Sequence, residues 1–256
     1  MESFKSSSVA QWSVHGIPAF QDNYIWAIVH QPSQGVVVVD PGCAKSVQSF
    51  LDVNGFHLSG ILVTHHHMDH VGGLRTLTGC DPQTLPVYGP AGGHIPQVSH
   101  PVHEGQRLEV LGLPVKVLEV PGHTLDHLAF VIEFDDIADR PVWMFCGDTL
   151  FSAGCGRLFE GSAEQMHHSI QKLNQFPAHT LVFCAHEYTE ANLRFARATA
   201  PGHEGVLQRE REVTTIRKQG MSTIPTTLAT ERLSNLFMMS KNPIEFKALR
   251  EAKDKF

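Results

Sequence analysis

Residues 62–70 read Leu-Val-Thr-His-His-His-Met-Asp-His, placing four imidazoles and a carboxylate within six positions directly after the apolar run Gly60-Ile61-Leu62-Val63. A solvated polar turn or a tag-like histidine cluster would have this composition, and so would a metal site. The side-chain period of an extended segment is two, so His65 and His67 project the same way and His66 the opposite way. The expectation is that His65 and His67 are ligands and His66 is not. Asp69 and His70 follow where the chain turns into a possible helix.

Three later residues share this setting. His123 follows "LEVPG", Asp148 follows "WMFCG" and His186 follows "LVFCA", each after an apolar run. Side chains at the carboxyl ends of different strands can meet on one rim. With His65, His67, Asp69 and His70 they make seven candidate ligands, too many for one tetrahedral zinc. Seven suit two metals sharing a carboxylate. Imidazole suits Zn and Fe, and the carboxylates admit harder ions such as Mn. The chain has 17 histidines, and those outside ligand-like spacing, such as His15, His30, His100, His167 and His203, read as surface or hydrogen-bonded structure.

The elements that must position these residues are strands in the first part of the chain. "YIWAIVH" (24–30), "GVVVVDPG" (35–42), "GILVT" (60–64), "LPVYGP" (85–90), "LPVKVLEVPGHT" (113–124), "LAFVIEF" (128–134), "PVWMFCGDTLF" (141–151) and "HTLVFCAHEY" (179–188) read as strands bounded by turn residues. The continuous apolar runs predict strands covered on both faces. "SAEQMHHSIQKLNQF" (162–176) predicts a helix starting at Ser162, with Met166, Ile170 and Leu173 on one face. Beyond about residue 187 the alternation stops. Segments 189–199, 204–220 and 243–256 predict helices, and 222–235 a linker running into a short one. The expectation is an α/β domain over 1–187 and a small helical domain over 188–256.

The totals narrow the function classes. A chain of 256 residues can bury a sizeable core. A formal net charge of −6 gives no general pull toward nucleic acid or anionic membrane, and no apolar stretch reaches the roughly 18 residues of a membrane span. Five cysteines with no C-x-x-C pair fit a reducing compartment better than a disulfide framework. The N-terminal "MESFKSSSVAQW" lacks a signal-peptide apolar run, so a cytoplasmic location is expected.

"THHHMDH", with His123, Asp148 and His186 in that order, resembles the T-H-x-H-x-D-H signature of the metallo-β-lactamase superfamily. "IPAFQDNYIW", "VPGHT", "GDTLFSAGCGRLFEG", "AHEYTEANLRFA" and "IPTTLATERLSN" narrow the resemblance to the hydroxyacylglutathione hydrolase (glyoxalase II) family over nearly the whole length. The resemblance implies an αββα sandwich with the site at one rim, followed by a helical substrate-binding domain. It implies one metal on His65, His67 and His123, a second on Asp69, His70 and His186, and Asp148 bridging, with zinc the leading choice and iron or manganese the alternatives. It also implies that Asp69 and Asp148 belong to the catalytic centre, with hydroxide on the metals as nucleophile; Asp69 reads as ligand rather than proton handler. The implied reaction is hydrolysis of S-D-lactoylglutathione to D-lactate and glutathione, the second step of methylglyoxal detoxification, by a monomer. Arg157, Phe159, Tyr188, Arg250 and Lys253 take the substrate-binding positions. The family often has Lys at position 157, Tyr at 159 and Trp at 68, so Phe159 lacks a phenolic hydrogen bond and Met68 only packs. Thr64, Asp40 and His127 are candidates for orienting the imidazoles. The cysteines read as buried or loop residues and not as nucleophiles. Rival readings are a β-lactamase, a phosphodiester nuclease, an iron-dependent sulfur dioxygenase and a structural metal protein; each lacks a signal peptide, a basic groove, a reduced ligand set or cysteine ligands, respectively.

Overall fold

The computed structural model describes residues 11–79, 85–134 and 142–256, and the backbone of residues 7–9. The expectations for the first residues and Cys80 lie outside the described residues. The described chain divides into two compact units, one holding residues up to 119 and 128–134, the other 120–127 and 142–256.

The first unit contains a seven-stranded sheet of β1 (Ser7–Val9), β2 (Trp12–Ala19), β3 (Asn23–His30), β4 (Gly35–Val39), β5 (His57–Leu62), β6 (Val87–Pro90) and β7 (His100–Val102), in that order. β1 to β4 pair antiparallel and β4 to β7 parallel. α1 (Ala44–Asn54), α2 (Met68–Val71) and α3 (Leu74–Thr78) lie in the crossovers that parallel pairing demands. Val47 and Leu51 of α1 and Leu74 of α3 join Ile25, Ala27, Val36, Val38, Ile61 and Val63 in one buried cluster. β4 is buried at every position, and that is why it reads as an unbroken run of valine. β8 (Arg107–Val110), β9 (Leu113–Glu119) and β10 (Leu128–Ile132) form an antiparallel meander.

In the second unit, β11 (Trp143–Gly147) pairs parallel with β14 (Leu181–Cys184), which pairs antiparallel with β15 (Thr226–Thr227). β12 (Leu150–Phe151) and β13 (Gly154–Cys155) form a short hairpin. α4 (Ala163–Leu173) starts at a capping box: Ser162 Oγ accepts from Gln165 N, and Gln165 Oε1 accepts from Ser162 N. α5 (Thr189–Thr199), α6 (Glu204–Lys218), α7 (Leu228–Ser234), α8 (Leu236–Met239) and α9 (Pro243–Asp254) follow. Leu193, Ala196, Val206 and Val213 bury a shared core with Ala153 of the hairpin.

The strands expected from the sequence are present with shifted ends: the one expected over 60–64 runs from His57 to Leu62, and the one expected over 141–151 divides into β11 and β12. β2, α1, β7 and β8 were not expected. α1 lacks a side-chain N-cap and buries only Val47 and Leu51, so its periodic signal is weak. Its stop signal is Gly55, at φ +69°.

Candidate metal centre

In the first unit, the histidine cluster lies where the chain leaves β5. Val63 N still donates to Tyr88 O at 2.8 Å, after which Thr64 N turns to Asp40 Oδ1 at 2.7 Å. Residues 63–67 form no ladder, and α2 then takes Asp69 and His70 into a helical turn. The turn after β4 packs tightly on α2: a Cβ at Gly42 would lie 1.8 Å from the Asp69 carbonyl oxygen, so no other residue fits there.

Asp40 organises this cluster. It is 4% exposed and holds φ +54°, and its two oxygens accept from Thr64 N, Thr64 Oγ1 (2.7 Å) and His70 Nδ1 (3.0 Å). Thr64 Oγ1 also meets His65 Nδ1 at 3.0 Å. Because the hydroxyl proton goes to Asp40, the imidazole must donate to Thr64. A carboxylate cannot donate, so His70 Nδ1 carries its proton as well. Both rings therefore present Nε2 as a lone pair, the form a metal needs. His65 Nε2 lies 3.1 Å from His67 Nδ1, which brings two ring nitrogens toward one point. Asp40, His65 and His70 also offer nitrogen or oxygen atoms within 4.8 Å of one another. The hydrogen bonds already made by Asp40 assign it to orienting the imidazoles rather than to ligation. Asp69 Oδ2 accepts from Asn23 Nδ2 at 3.0 Å and lies 3.6 Å from His70 Nε2. The ring of His66 lies beside that of His94, centroids 5.2 Å apart.

In the second unit, Asp148 follows β11 and is 7% exposed. Its Oδ2 lies 3.4 Å from His123 Nε2 and its Oδ1 3.4 Å from His186 Nε2. Each carboxylate oxygen thus faces a different imidazole. His123 Nδ1 meets the Arg157 carbonyl at 2.8 Å; a carbonyl only accepts, so the proton is on Nδ1 and Nε2 offers its lone pair. Fully buried His127 accepts from Asp148 N at Nε2 (3.2 Å) and meets Thr149 Oγ1 at Nδ1 (3.3 Å), fixing the backbone that carries Asp148. Gly156 lets the chain return against it, since a Cβ there would lie 2.0 Å from the Asp148 carbonyl oxygen. Oxygen and imidazole donors with outer nitrogens tied elsewhere fit divalent transition metals.

A cleft of about 390 Å³ in this unit is lined by His123 and Asp148 together with Arg157, Phe159, Tyr188, Arg250 and Lys253. Arg157 is largely exposed and pairs with Asp254 at 3.6 Å. Phe159 is 63% exposed and sits edge-on to His123. Tyr188 stacks on His186, centroids 4.7 Å apart and planes 8° from parallel. Arg250 is only 3% exposed: it donates to Cys155 O (3.0 Å) and to Asp254 Oδ1 (2.9 Å), so it holds α9 to the hairpin as well as lining the cleft. Lys253 donates to Asn192 Oδ1 and lies over the Phe195 ring. Burial, reinforced by the Arg250 charge, pushes its pKa down to about 8. Asn192, 2% exposed, also lines the cleft and donates to Ser152 O at 2.9 Å. Sequence reasoning missed it, because its partners are 40 and 61 residues away.

The cysteines of this unit offer no nucleophile. Burial pushes the Cys146 thiol up to about 12, Cys155 up to about 11 and Cys184 well above its ordinary value. Several other histidines have structural partners, among them His15 with Ser13, His167 with the Ser240 carbonyl, and His203 capping α6. Among the described residues, no helix is long and apolar enough to cross a membrane.

Residues 21–79 and 76–186 match the model of the metallo-β-lactamase superfamily, and residues 187–256 match the hydroxyacylglutathione hydrolase C-terminus. The chain is 47% identical over 229 residues to a hydroxyacylglutathione hydrolase of Hahella chejuensis, covering 89% of this chain and 86% of that one. It is 46% identical over 240 residues to one of Pseudomonas aeruginosa, covering 92% and 89%. Among solved structures, ETHE1 from Myxococcus xanthus shares the fold at TM-score 0.67 and 24% identity, covering 93% of this chain and 89% of that one. The BLEG-1 B3 metallo-β-lactamase shares it at 0.59 and 22%, covering 68% and 91%. The fold is therefore the metallo-β-lactamase fold with a helical C-terminal region, and its histidine and aspartate clusters are those of a divalent-metal protein. The chain belongs to the hydroxyacylglutathione hydrolase family of the metallo-β-lactamase superfamily.

Proposed function

We propose that this chain is a thioester hydrolase that converts S-D-lactoylglutathione and water to D-lactate and glutathione, acting as a cytoplasmic monomer on two divalent ions, with zinc the leading choice. One ion is assigned to His65, His67 and His123, the other to Asp69, His70 and His186, and Asp148 to both. The observation that carries this is Asp148, whose two oxygens face His123 and His186 separately at 3.4 Å, a disposition suited to one carboxylate that would help hold both ions. When bound, such a pair supplies Lewis acidity that activates water and polarises a thioester carbonyl.

The protein's own residues prepare for that chemistry. Asp40 and Thr64 keep protons on the outer nitrogens of His70 and His65, and the Arg157 carbonyl does so for His123, so these rings would serve bound ions as neutral donors. Asn23 steadies Asp69, assigned as a ligand. No thiol in the second unit competes as nucleophile, because burial holds all three protonated. Glutathione carries two carboxylates, which Arg157 and Lys253 suit by charge and Tyr188 by its hydroxyl. Phe159 offers an apolar surface beside His123 and no hydroxyl. The helical segment 188–256 is assigned to substrate binding, because Lys253, Arg250 and Asn192 line the cleft. Water adds to the carbonyl carbon, the C–S bond breaks, and the products are the 2-hydroxy acid and the thiol.

The test is hydrolysis of S-D-lactoylglutathione, followed by release of free thiol, with metal analysis on the same sample. Turnover that disappears with chelation and returns with added metal supports the reading. A metal-loaded sample that leaves the thioester intact overturns it.

A further inference from the structure

We infer that Glu231 and Asn235, on and just beyond α7, are positioning residues for the cleft: they fix the β12–β13 hairpin, which precedes and supports the residues that line it. Glu231 is fully buried, and Asn235 is too. Glu231 Oε2 accepts from Ala153 N at 2.7 Å and from Asn235 Nδ2 at 3.0 Å, while Oε1 accepts from Thr226 Oγ1 at 2.8 Å. Asn235 Nδ2 donates further to the carbonyls of Phe151 (3.1 Å) and Gly154 (2.9 Å). Its Oδ1 accepts from Phe237 N and Met238 N and so caps α8.

The hairpin depends on outside partners. It has two residues in each strand and a turn at Ser152 and Ala153, with Ala153 at φ +58°. A pair of two-residue strands is not self-supporting, and a left-handed non-glycine residue persists only where its surroundings enforce it. Here side chains of the helical segment bind one backbone group after another. Asn235 takes Phe151 O and Gly154 O, Asn192 takes Ser152 O, Glu231 takes Ala153 N, and Arg250 takes Cys155 O. Arg209 Nη2 adds Ser152 Oγ at 3.4 Å. A Cβ at Gly154 would lie 2.5 Å from the Asn192 side chain, so the hairpin has no room to shift.

The hairpin bears on the site at two points. Phe151, Cys155, Gly156 and Arg157 line the same cleft as Asp148. The Arg157 carbonyl also sets the His123 tautomer. Glu231 touches none of the cleft directly; it acts through Ala153. Of its partners only donors are present, so a carboxylate or a side-chain amide oxygen at Oε2 satisfies the Ala153 amide, whereas a shorter or apolar side chain does not.

This inference rests on the proposed reaction for its kinetic arm only. The experiment compares Glu231→Ala, Glu231→Asp and Glu231→Gln in the full-length, metal-loaded protein, measuring S-D-lactoylglutathione kinetics and hydrogen exchange at the Ala153 amide. Loss of one hydrogen bond to a charged group predicts a KM raised about tenfold for Glu231→Ala, with a smaller change in kcat. Ala153 exchange should accelerate by a similar factor. Glu231→Gln, which keeps an acceptor at Oε2, should restore both toward wild type. If Glu231→Ala does not fold, Glu231→Asp decides: its carboxylate falls one methylene short of Ala153, so a raised KM and faster exchange are expected. Wild-type KM and wild-type Ala153 exchange in Glu231→Asp or Glu231→Ala overturn the inference. A parent enzyme inert on the thioester defeats the proposed reaction, while the exchange measurement still judges the hairpin.

Discussion

Asp40 carries three hydrogen bonds and no proposed metal bond, which makes it a sharp test of how the site is held. Replacing it by Asn keeps an oxygen for Thr64 N but puts an NH₂ group where Oδ2 accepts from His70 Nδ1 and Thr64 Oγ1. The Thr64 hydroxyl can turn and accept. The His70 ring can answer only by moving its proton to Nε2, the nitrogen it offers to metal. Losing such an outer-shell partner typically costs 10–100-fold in metal affinity, about 1.4–2.7 kcal/mol. Asp40→Ala goes further, stranding the Thr64 amide in a fully buried place at about 1–3 kcal/mol. It also puts alanine at φ +54°, for about 1–2 kcal/mol more. The expected outcome is an Asp40→Asn protein that folds yet binds one metal equivalent 10–100-fold more weakly. Asp40→Ala should in addition lose about 2–5 kcal/mol of unfolding free energy. Chelator competition and urea unfolding measure the two effects. Metal affinity within about twofold of wild type in Asp40→Asn would refute the tautomer argument, since the expected loss is at least about tenfold.

Other expectations concern the cleft and the cluster. Lys253 has its pKa lowered to about 8, so the charge proposed to meet a substrate carboxylate is present below that pH and is lost as pH rises through it. KM for the glutathione thioester should climb about tenfold between pH 7 and 9 if only the charged form binds, and Lys253→Met should flatten that rise; an unchanged slope would count against the role. Arg250→Ala should raise KM more than it lowers kcat and also destabilise the fold by about 1–3 kcal/mol, because it leaves the buried Cys155 carbonyl without its Arg250 donor, while Asp254 keeps Arg157 as a partner. Retained unfolding free energy would deny its structural share. His66→Ala should leave metal content near wild type, and loss of an equivalent would show that it is a ligand.

Much of the first-unit framework was legible because β3 and β4 are buried on both faces and are followed by turn residues, and because the Gly60–Leu62 end of β5 is a buried apolar run. The cluster after β5 stood out by composition alone, and Asp40 was marked by its place after Val36–Val39, ahead of Pro41-Gly42. β2 was obscured because His15, Gly16 and Pro18 interrupt its alternation, and α1 because two buried residues make a faint stripe. Asn192, Glu231 and Asn235 were invisible for a different reason. Each binds a backbone group of one hairpin, 40 to 84 residues distant, and backbone groups carry no sequence signature. Arg250 was assigned to the substrate by resemblance alone; nothing in its spacing from Lys253 signals burial, which only the packing of α9 reveals.

The whole site turns on Asp148 holding both ions, and metal stoichiometry measured beside thioester turnover in wild type and Asp148→Ala puts that role to the test. Two tightly bound equivalents are expected in the wild type, with both weakened and turnover lost together in the variant. A variant that keeps two tightly bound metals and the full rate would contradict it.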